Sequence, residues 1–327
     1  MNSNNRINYI DTLKGFCVLW IVWYHTTHPD FVNYPFFNIT LFFVSGLLYK
    51  PYKWNVFWRK KVNQLIIPFC FFYILYYFFL LAINYAKYHS VDNVIYSIMD
   101  VFKLYTGNEA FIVNYPLWFI CAIICMQLVM YVIEKIIKTK IPLLIIAFII
   151  STIGFFYIQW IPTPFMFGRS LPYFIFFTIG YLSNNILLSE EKLITHRNKL
   201  LTVNIIVLLL SLISRMENFH PFIHFLGNIF EFTAISFLLV YFSQLIQGTF
   251  FTRIITFFGM YSLIVLGLHD MYLTIFLIMI QSFIGPMNIA FGICNLILTC
   301  LLLWPSIYLL NKYFPQLIGK KEVLKIK

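Results

Sequence analysis

The most constraining feature of this chain is a succession of apolar runs, most of them long enough to cross a bilayer, that extends along the whole sequence. A membrane-spanning helix needs roughly 20 mostly apolar residues. Only 11% of the 327 residues are charged, whereas a soluble domain carries about 25%, so lipid must replace water around much of the surface. We therefore expect an all-α polytopic membrane protein of about ten transmembrane helices, with residues 1–327 forming a single domain. The runs, of which the second and seventh are short, are 9–27, 34–50, 63–86, 115–134, 141–160, 169–188, 200–215, 226–246, 254–282 and 287–311.

The basic residues indicate how such a bundle is oriented. Cytoplasmic loops of membrane proteins carry an excess of Lys and Arg. Odd-numbered junctions between the runs hold only Lys87, Lys103, Arg169 and Arg215, and the even-numbered junctions and the tail hold many more. This asymmetry predicts cytoplasmic N and C termini, in a multi-pass protein of a bacterial inner (cytoplasmic) membrane. The residues on the expected cytoplasmic side are Lys50, Lys53, Arg59, Lys60, Lys61, Lys135, Lys138, Lys140, Lys192, Arg197, Lys199, Arg253, Lys312, Lys320, Lys321, Lys325 and Lys327.

A net charge of +11 raises nucleic acid as a partner. The basic residues, however, lie in short clusters between apolar runs, which is how membrane topology is specified. Membrane lipid is therefore the expected partner, and no nucleic acid is expected. The six cysteines lie within apolar runs and none forms a CxxC pair, so we expect buried free thiols and no metal site.

The first apolar run is unusual because it contains ionisable side chains, which are costly inside a bilayer unless they are paired or face water. Lys14 and His25 are eleven residues apart, close to three helical turns, so they share one face about 16 Å apart along the axis. Asp11 lies one turn before Lys14, and His28 lies one turn after His25. This stripe predicts a helix that lines a polar cavity, although Asp11 and Lys14 alone would also fit interfacial side chains that reach the cytoplasm.

The Lys14-x10-His25 spacing resembles the basic-x10-His motif in the first helix of the acyltransferase 3 family. The opening RINYIDTLKGFCVLWIVWYH and the stretch LFFVSGLLYK, with Ser45 and Gly46, are also similar to that family. Further resemblances are WRKKVNQLIIPF, LPYFIFFTIGYLSN from Leu171 and FGMYSLIVLGLHDMYL from Phe258. Two departures stand out: the family often has an Arg-x-x-Arg where this chain has Lys61-x-x-Gln64, and Lys14 replaces an Arg, which alone can form a planar bidentate contact.

The resemblance implies a membrane enzyme that transfers an acyl group, acetyl in the first instance, from cytoplasmic acyl-CoA to a hydroxyl of a surface or exported sugar. In that reading His25 is the general base, or is itself acylated. Asp11, Lys14 and Ser45 belong to the catalytic set, with Lys14 or Ser45 as oxyanion donors, although a small residue such as Ser45 also permits close helix packing.

The acyl-CoA phosphates are expected at Arg59, Lys60 and Lys61, unless that triplet only specifies topology. The substrate path is expected to include the polar and aromatic residues His28, Trp118, Arg169, Glu231, His269 and Asp270. Ordinary interfacial or packing roles remain open for each of them.

Two other functions compete with the enzyme. Buried charges could gate a transporter or flippase for polysaccharide intermediates, but the paired broken helices common in transporters are not visible. A glycan polymerase would need a large outer loop, and the segment from 87 to 114 is modest; it could be an interfacial helix over a cavity or a plain connection. The acyl group, the sugar, a lipid-linked or polymeric acceptor, and the oligomeric state stay open.

Overall fold

The chain is predominantly helical, as the apolar runs predict. A computed structural model describes residues 7–27, 35–214, 219–284 and 289–325. The helices are α1 Asn8–Thr27, α2 Phe36–Leu47, α3 Trp54–Lys61, α4 Ile67–Tyr88, α5 Trp118–Ile136, α6 Lys140–Phe156, α7 Phe167–Ser170, α8 Phe174–Leu187, α9 Glu190–Thr195, α10 Arg197–Ile213, α11 Pro221–Leu245, α12 Phe250–Met260, α13 Ser262–Ile284 and α14 Ile289–Tyr313. A π-helical turn, Val62–Ile66, joins α3 to α4.

Within the described ranges, six helical segments are long and apolar enough to cross a membrane. They establish a polytopic membrane protein, whereas the count of ten stays a prediction. The predicted second span corresponds to α2, whose 12 residues rise only about 18 Å, less than the hydrocarbon thickness of about 30 Å. The six segments are Trp54–Tyr88, Tyr115–Ile136, Lys140–Trp160, Pro221–Leu245, Ser262–Met279 and Phe291–Tyr313.

The predicted ninth span, 254–282, is divided into two helices. α12 ends at Met260, and α13 begins at Ser262 after a turn at Tyr261. Hydrophobicity is continuous across this turn, so the sequence pattern does not reveal it. The division lets α12 pack along α1 while α13 continues separately towards the residues beside His25.

Two pairs of helices cross with their backbones in contact, and glycine makes each approach possible. A Cβ on Gly15 would overlap the Ile255 carbonyl of α12, and a Cβ on Gly259 would overlap the Asp11 carbonyl of α1. The α2–α8 crossing repeats the arrangement at Gly46 and Gly180, which meet the facing carbonyls of Phe177 and Phe43. Small residues at such crossings are typical of packed membrane helices.

The bundle has two chemically different ends. At the first, the Tyr9 hydroxyl donates to the Leu187 carbonyl at 2.8 Å, which joins the start of α1 to the end of α8. The C-terminal tail returns to this end, where Asn63 of the π-helical turn accepts the Leu324 N–H at 2.9 Å and donates to the Leu324 carbonyl. We call it the basic end, because the turn between α5 and α6 contributes Lys138 there. The opposite end, where α1 finishes, is the His25 end.

The segment 89–114 at the His25 end is an ordered structure, intermediate between the two expectations for it. It contains a 3-10 helix, Ile95–Phe102, and a two-residue strand β1, Leu104–Tyr105, that pairs antiparallel with β2, Thr163–Pro164. Buried Asp100 organises it by accepting the Ile112 N–H at 2.6 Å and pairing with Lys103 at 3.0 Å. This pair is the only β-sheet among the described residues.

Candidate active site

His25 lies in the last turn of α1 and lines a cavity of about 110 Å³. Because α1 is one continuous helix, it carries His25 to the end of the bundle where α5 begins and where α13 passes. The His25 ring is half-buried, 6.1 Å from the Tyr115 ring and 5.4 Å from the His269 ring, measured between centroids. The remaining lining is aromatic and apolar except for a few polar groups, chiefly Asn38, Tyr115 and Arg169.

His269 is fully buried on α13 beside His25. Its Nδ1 lies 2.9 Å from the Val265 carbonyl one turn earlier. A carbonyl can only accept, so Nδ1 carries the proton and Nε2 is left as an acceptor. Among the described residues, nothing hydrogen-bonds to that Nε2. A buried acceptor beside a candidate base can orient the base by accepting a hydrogen bond from the N–H of the nitrogen that does not act as the base, directly or through water.

Asp270 follows His269 but points to a different partner. Its Oδ2 accepts the Tyr76 hydroxyl of α4 at 2.6 Å. This bond ties α13 to α4 and engages the carboxylate within the bundle. His269 and Asp270 were predicted together as part of a substrate path. In the structure they contact different partners, and of the two only His269 lies next to His25.

Arg169 and Trp118 form the outer wall of the His25 cavity. The Arg169 guanidinium carbon lies 3.9 Å from the Trp118 ring centroid, a stacked cation–π contact. The guanidinium also donates to the Glu109 carbonyl, which fixes the outer segment over the cavity, and to the Tyr115 hydroxyl at 3.4 Å. Hydrogen bonds from the main chain and hydroxyl of Thr106 lower the pKa of the exposed Glu109 carboxyl in this loop. One face of Trp118 is therefore covered by Arg169.

Asp11 and Lys14 form an ion pair at the basic half of α1, with Lys14 Nζ 2.6 Å from Asp11 Oδ1. Both side chains are largely buried, since their exposed fractions are 7% for Asp11 and 21% for Lys14. Neither residue lines the His25 cavity. The structure thus places the stripe predicted on α1 at two levels, an ion pair at one and the imidazole at the other.

Ser45 and the basic triplet also lie away from His25. The Ser45 hydroxyl donates to the Leu41 carbonyl of its own helix at 2.8 Å. In the triplet, Arg59 donates to the Lys325 carbonyl of the tail at 2.9 Å, and the Lys60 ammonium lies 3.8 Å from the Tyr52 ring centroid. Lys61 is buried, with its ammonium 5.2 Å from the Phe57 ring centroid. The triplet thus belongs to the basic end, where the tail shares it.

Two further predicted residues remain, Glu231 and His28. Glu231 is buried on α11 outside the cavity lining. His28 lies outside the described residues. Within the part of the chain that the structure describes, no group of three or more His, Cys, Asp or Glu side chains has a metal-binding arrangement.

Three residues that the sequence reasoning left without a role belong to this site. Asn38 lines the cavity from α2, and its signal is visible in the sequence as a lone amide within an apolar helix. Tyr115, directly after the segment 89–114, lies beside His25. Tyr76, the partner of Asp270, had no signal, because it lies in a run crowded with aromatic residues.

Comparison with known proteins gave one family match. The model of the family Acyl_transf_3, described as an acyltransferase domain, matches residues 7–308. That range contains the His25 cavity and all the predicted site residues. Searches of the curated proteins and of the solved structures returned no match.

Proposed function

Because the chain belongs to the acyltransferase 3 family and is a membrane acyltransferase, we propose that it transfers an acetyl group from acyl-CoA to a sugar hydroxyl. The acceptor is a surface or exported glycan, and the enzyme works in a bacterial cytoplasmic membrane. The observation that carries the proposal is the position of His25. The His25 imidazole lines a cavity at one end of the bundle, and the opposite end is basic.

The chemistry follows from the cavity lining. The sugar oxygen attacks the thioester carbonyl carbon while His25 accepts the hydroxyl proton. Donors that line the cavity, Arg169, Tyr115 and Asn38, would stabilise the resulting oxyanion. The carbon–sulfur bond then breaks, and the leaving CoA thiolate takes the proton back from His25. The products are the sugar ester and CoA thiol. In the alternative route His25 carries the acyl group before the sugar attacks.

The two ends of the bundle suit the two ends of the donor. In acyl-CoA the phosphates lie far from the thioester. Lys14 is about 16 Å along α1 from His25, and Arg59, Lys60 and Lys61 lie at the basic end. The phosphates would bind there while the thioester reaches the His25 cavity. The position of Lys14 therefore suits a contact with the donor's phosphates better than the predicted role as an oxyanion donor.

The decisive experiment is CoA release by the purified protein in lipid, with acetyl-CoA and a panel of sugars. We expect sugar-dependent release that falls at least about a hundredfold in His25→Ala. His196→Ala is the matched control, because His196 is an exposed histidine at the start of α10. Radiolabelled acetyl retained on the protein without a sugar would identify the acyl-histidine route.

A different set of results would overturn the proposal. Full activity in His25→Ala would remove the imidazole from the chemistry. Movement of a lipid-linked sugar across vesicles, with no acetyl transfer and no CoA release, would establish the flippase alternative.

A further inference from the structure

A second cavity, larger than the one beside His25, lies among other residues of the described chain. It is a groove of about 570 Å³ at the basic end, between the α5–α6 turn, the residues that follow α2, and the final turns of α8. We call it the lysine groove. Its main lining side chains are Lys135, Lys138, Lys140, Tyr52, Tyr131 and Tyr181.

The lysine groove has an excess of positive charge. Three lysines line it with a single carboxylate, that of Glu134, which accepts the Tyr181 hydroxyl. The Lys135 ammonium lies 4.5 Å from the Tyr131 ring centroid, and Lys60 covers Tyr52 from outside the lining. Lysine ammoniums on exposed side chains beside tyrosine rings suit an anionic group at a membrane interface, where Tyr and Lys both accumulate.

Exposed apolar side chains adjoin these lysines in sequence. Ile136, the last residue of α5, is 77% exposed, and Ile141, next to Lys140 at the start of α6, is 73% exposed; neither belongs to the groove lining. Exposed isoleucines in a membrane protein face hydrocarbon. An occupant that places an anionic group among the lysines therefore has exposed apolar surface near it, which favours a lipid over a free phosphate or a nucleotide.

The lysine groove is not a branch of the catalytic cavity. The two cavities have no lining residue in common. The groove and the His25 cavity are also at opposite ends of the bundle. The groove is therefore a site distinct from the His25 cavity, and its lysines are not the Arg59, Lys60 and Lys61 triplet proposed for the donor's phosphates.

We propose that the lysine groove binds the phosphate headgroup of an anionic phospholipid. Basic pockets between transmembrane helices recognise such headgroups through the same combination of charge and adjoining hydrocarbon surface. The proposal does not depend on the proposed acyltransferase chemistry.

The test uses the full-length protein, delipidated in neutral detergent. Binding of phosphatidylglycerol and of phosphatidylcholine is measured by native mass spectrometry and by thermal stability, with CoA and inorganic phosphate as separate arms. The variant is K135Q/K138Q/K140Q. Its matched control is K192Q/K199Q/K321Q, which removes three exposed lysines outside the groove.

We expect phosphatidylglycerol to bind at least about tenfold more tightly than phosphatidylcholine, a preference lost in the groove variant and kept in the control. Neither CoA nor inorganic phosphate should displace it. The proposal fails if the two lipids bind equally, or if both triple variants weaken binding alike. It also fails if CoA displaces the lipid through the groove lysines, since the groove would then be a nucleotide site. Because the groove lysines are exposed, K135Q/K138Q/K140Q should keep its thermal stability without lipid, and this serves as the folding check. Lys140→Glu is a second, single-site variant that should also lose the preference for phosphatidylglycerol.

Discussion

At the scale of single residues, the Asp11–Lys14 pair decides how a Lys14 variant must be read. Lys14→Ala leaves the nearly buried Asp11 carboxylate without the Lys14 ammonium. We therefore expect the free energy of unfolding to fall by about 1–3 kcal/mol. This is less than for a fully buried pair, because Lys14 is partly exposed. Thermal unfolding in detergent measures this loss. Lys14→Arg should retain the stability, and Asp11→Asn combined with Lys14→Ala should recover part of it. Equal stability of Lys14→Ala and the wild type would show that the pair contributes nothing.

His269 provides a second prediction at this scale. If its Nε2 orients His25, His269→Ala should lower kcat about tenfold or more with little change in the KM for acetyl-CoA, because the base remains but is less well aligned. His269→Gln, whose carbonyl can accept a hydrogen bond, should recover part of the rate. The pH profile of kcat separates this role from a structural one, since a displaced base changes the profile and simple destabilisation does not. The orienting role would be rejected if both variants showed only a smaller amount of active enzyme and kept the wild-type pH profile of kcat.

At the scale of helices, the α2–α8 crossing separates packing from chemistry at two adjacent residues. Gly46→Ala places a methyl group against the Phe177 carbonyl, so we expect destabilisation of about 1–3 kcal/mol. Ser45→Ala removes only a hydroxyl bonded within its own helix and should change stability by less than about 1 kcal/mol. Thermal unfolding and CoA release of the two variants are compared side by side. A folded Ser45→Ala that has lost turnover would show instead that this hydroxyl stabilises the reaction.

At the scale of the whole molecule, the two ends should face different compartments. Single cysteines placed at Lys138 and Glu322 should react with a membrane-impermeant maleimide only from the cytoplasmic side, and one at Asn108 only from the outer side, since these positions lie at opposite ends of the described bundle. Labelling in intact and broken cells measures the difference. Outer labelling of position 138 in intact cells would reverse the orientation predicted from the basic residues.

The sequence predicted more of the helices than of the site. Runs of apolar residues define helices because lipid exposure requires internal backbone hydrogen bonds, and the Lys14-x10-His25 spacing identified the helix that carries the imidazole. The break at Tyr261 was missed because hydrophobicity is continuous across it, and the close contact of nearby Gly259 with α1 is a tertiary feature that no local pattern reveals. The approach of His269 to His25 depends on how α13 passes α1, which no spacing within one helix can specify.

The glycine crossings have a consequence for motion. α1 and α12 touch backbone to backbone, and so do α2 and α8. Helices seated this closely cannot slide or rock past one another without first separating, because there are no intervening side chains to change rotamer. We therefore expect the α1–α12 crossing, which holds the helix that carries His25, to behave as a rigid frame. If His25 acts as proposed, both reactants would have to travel to an imidazole whose helix does not move to meet them.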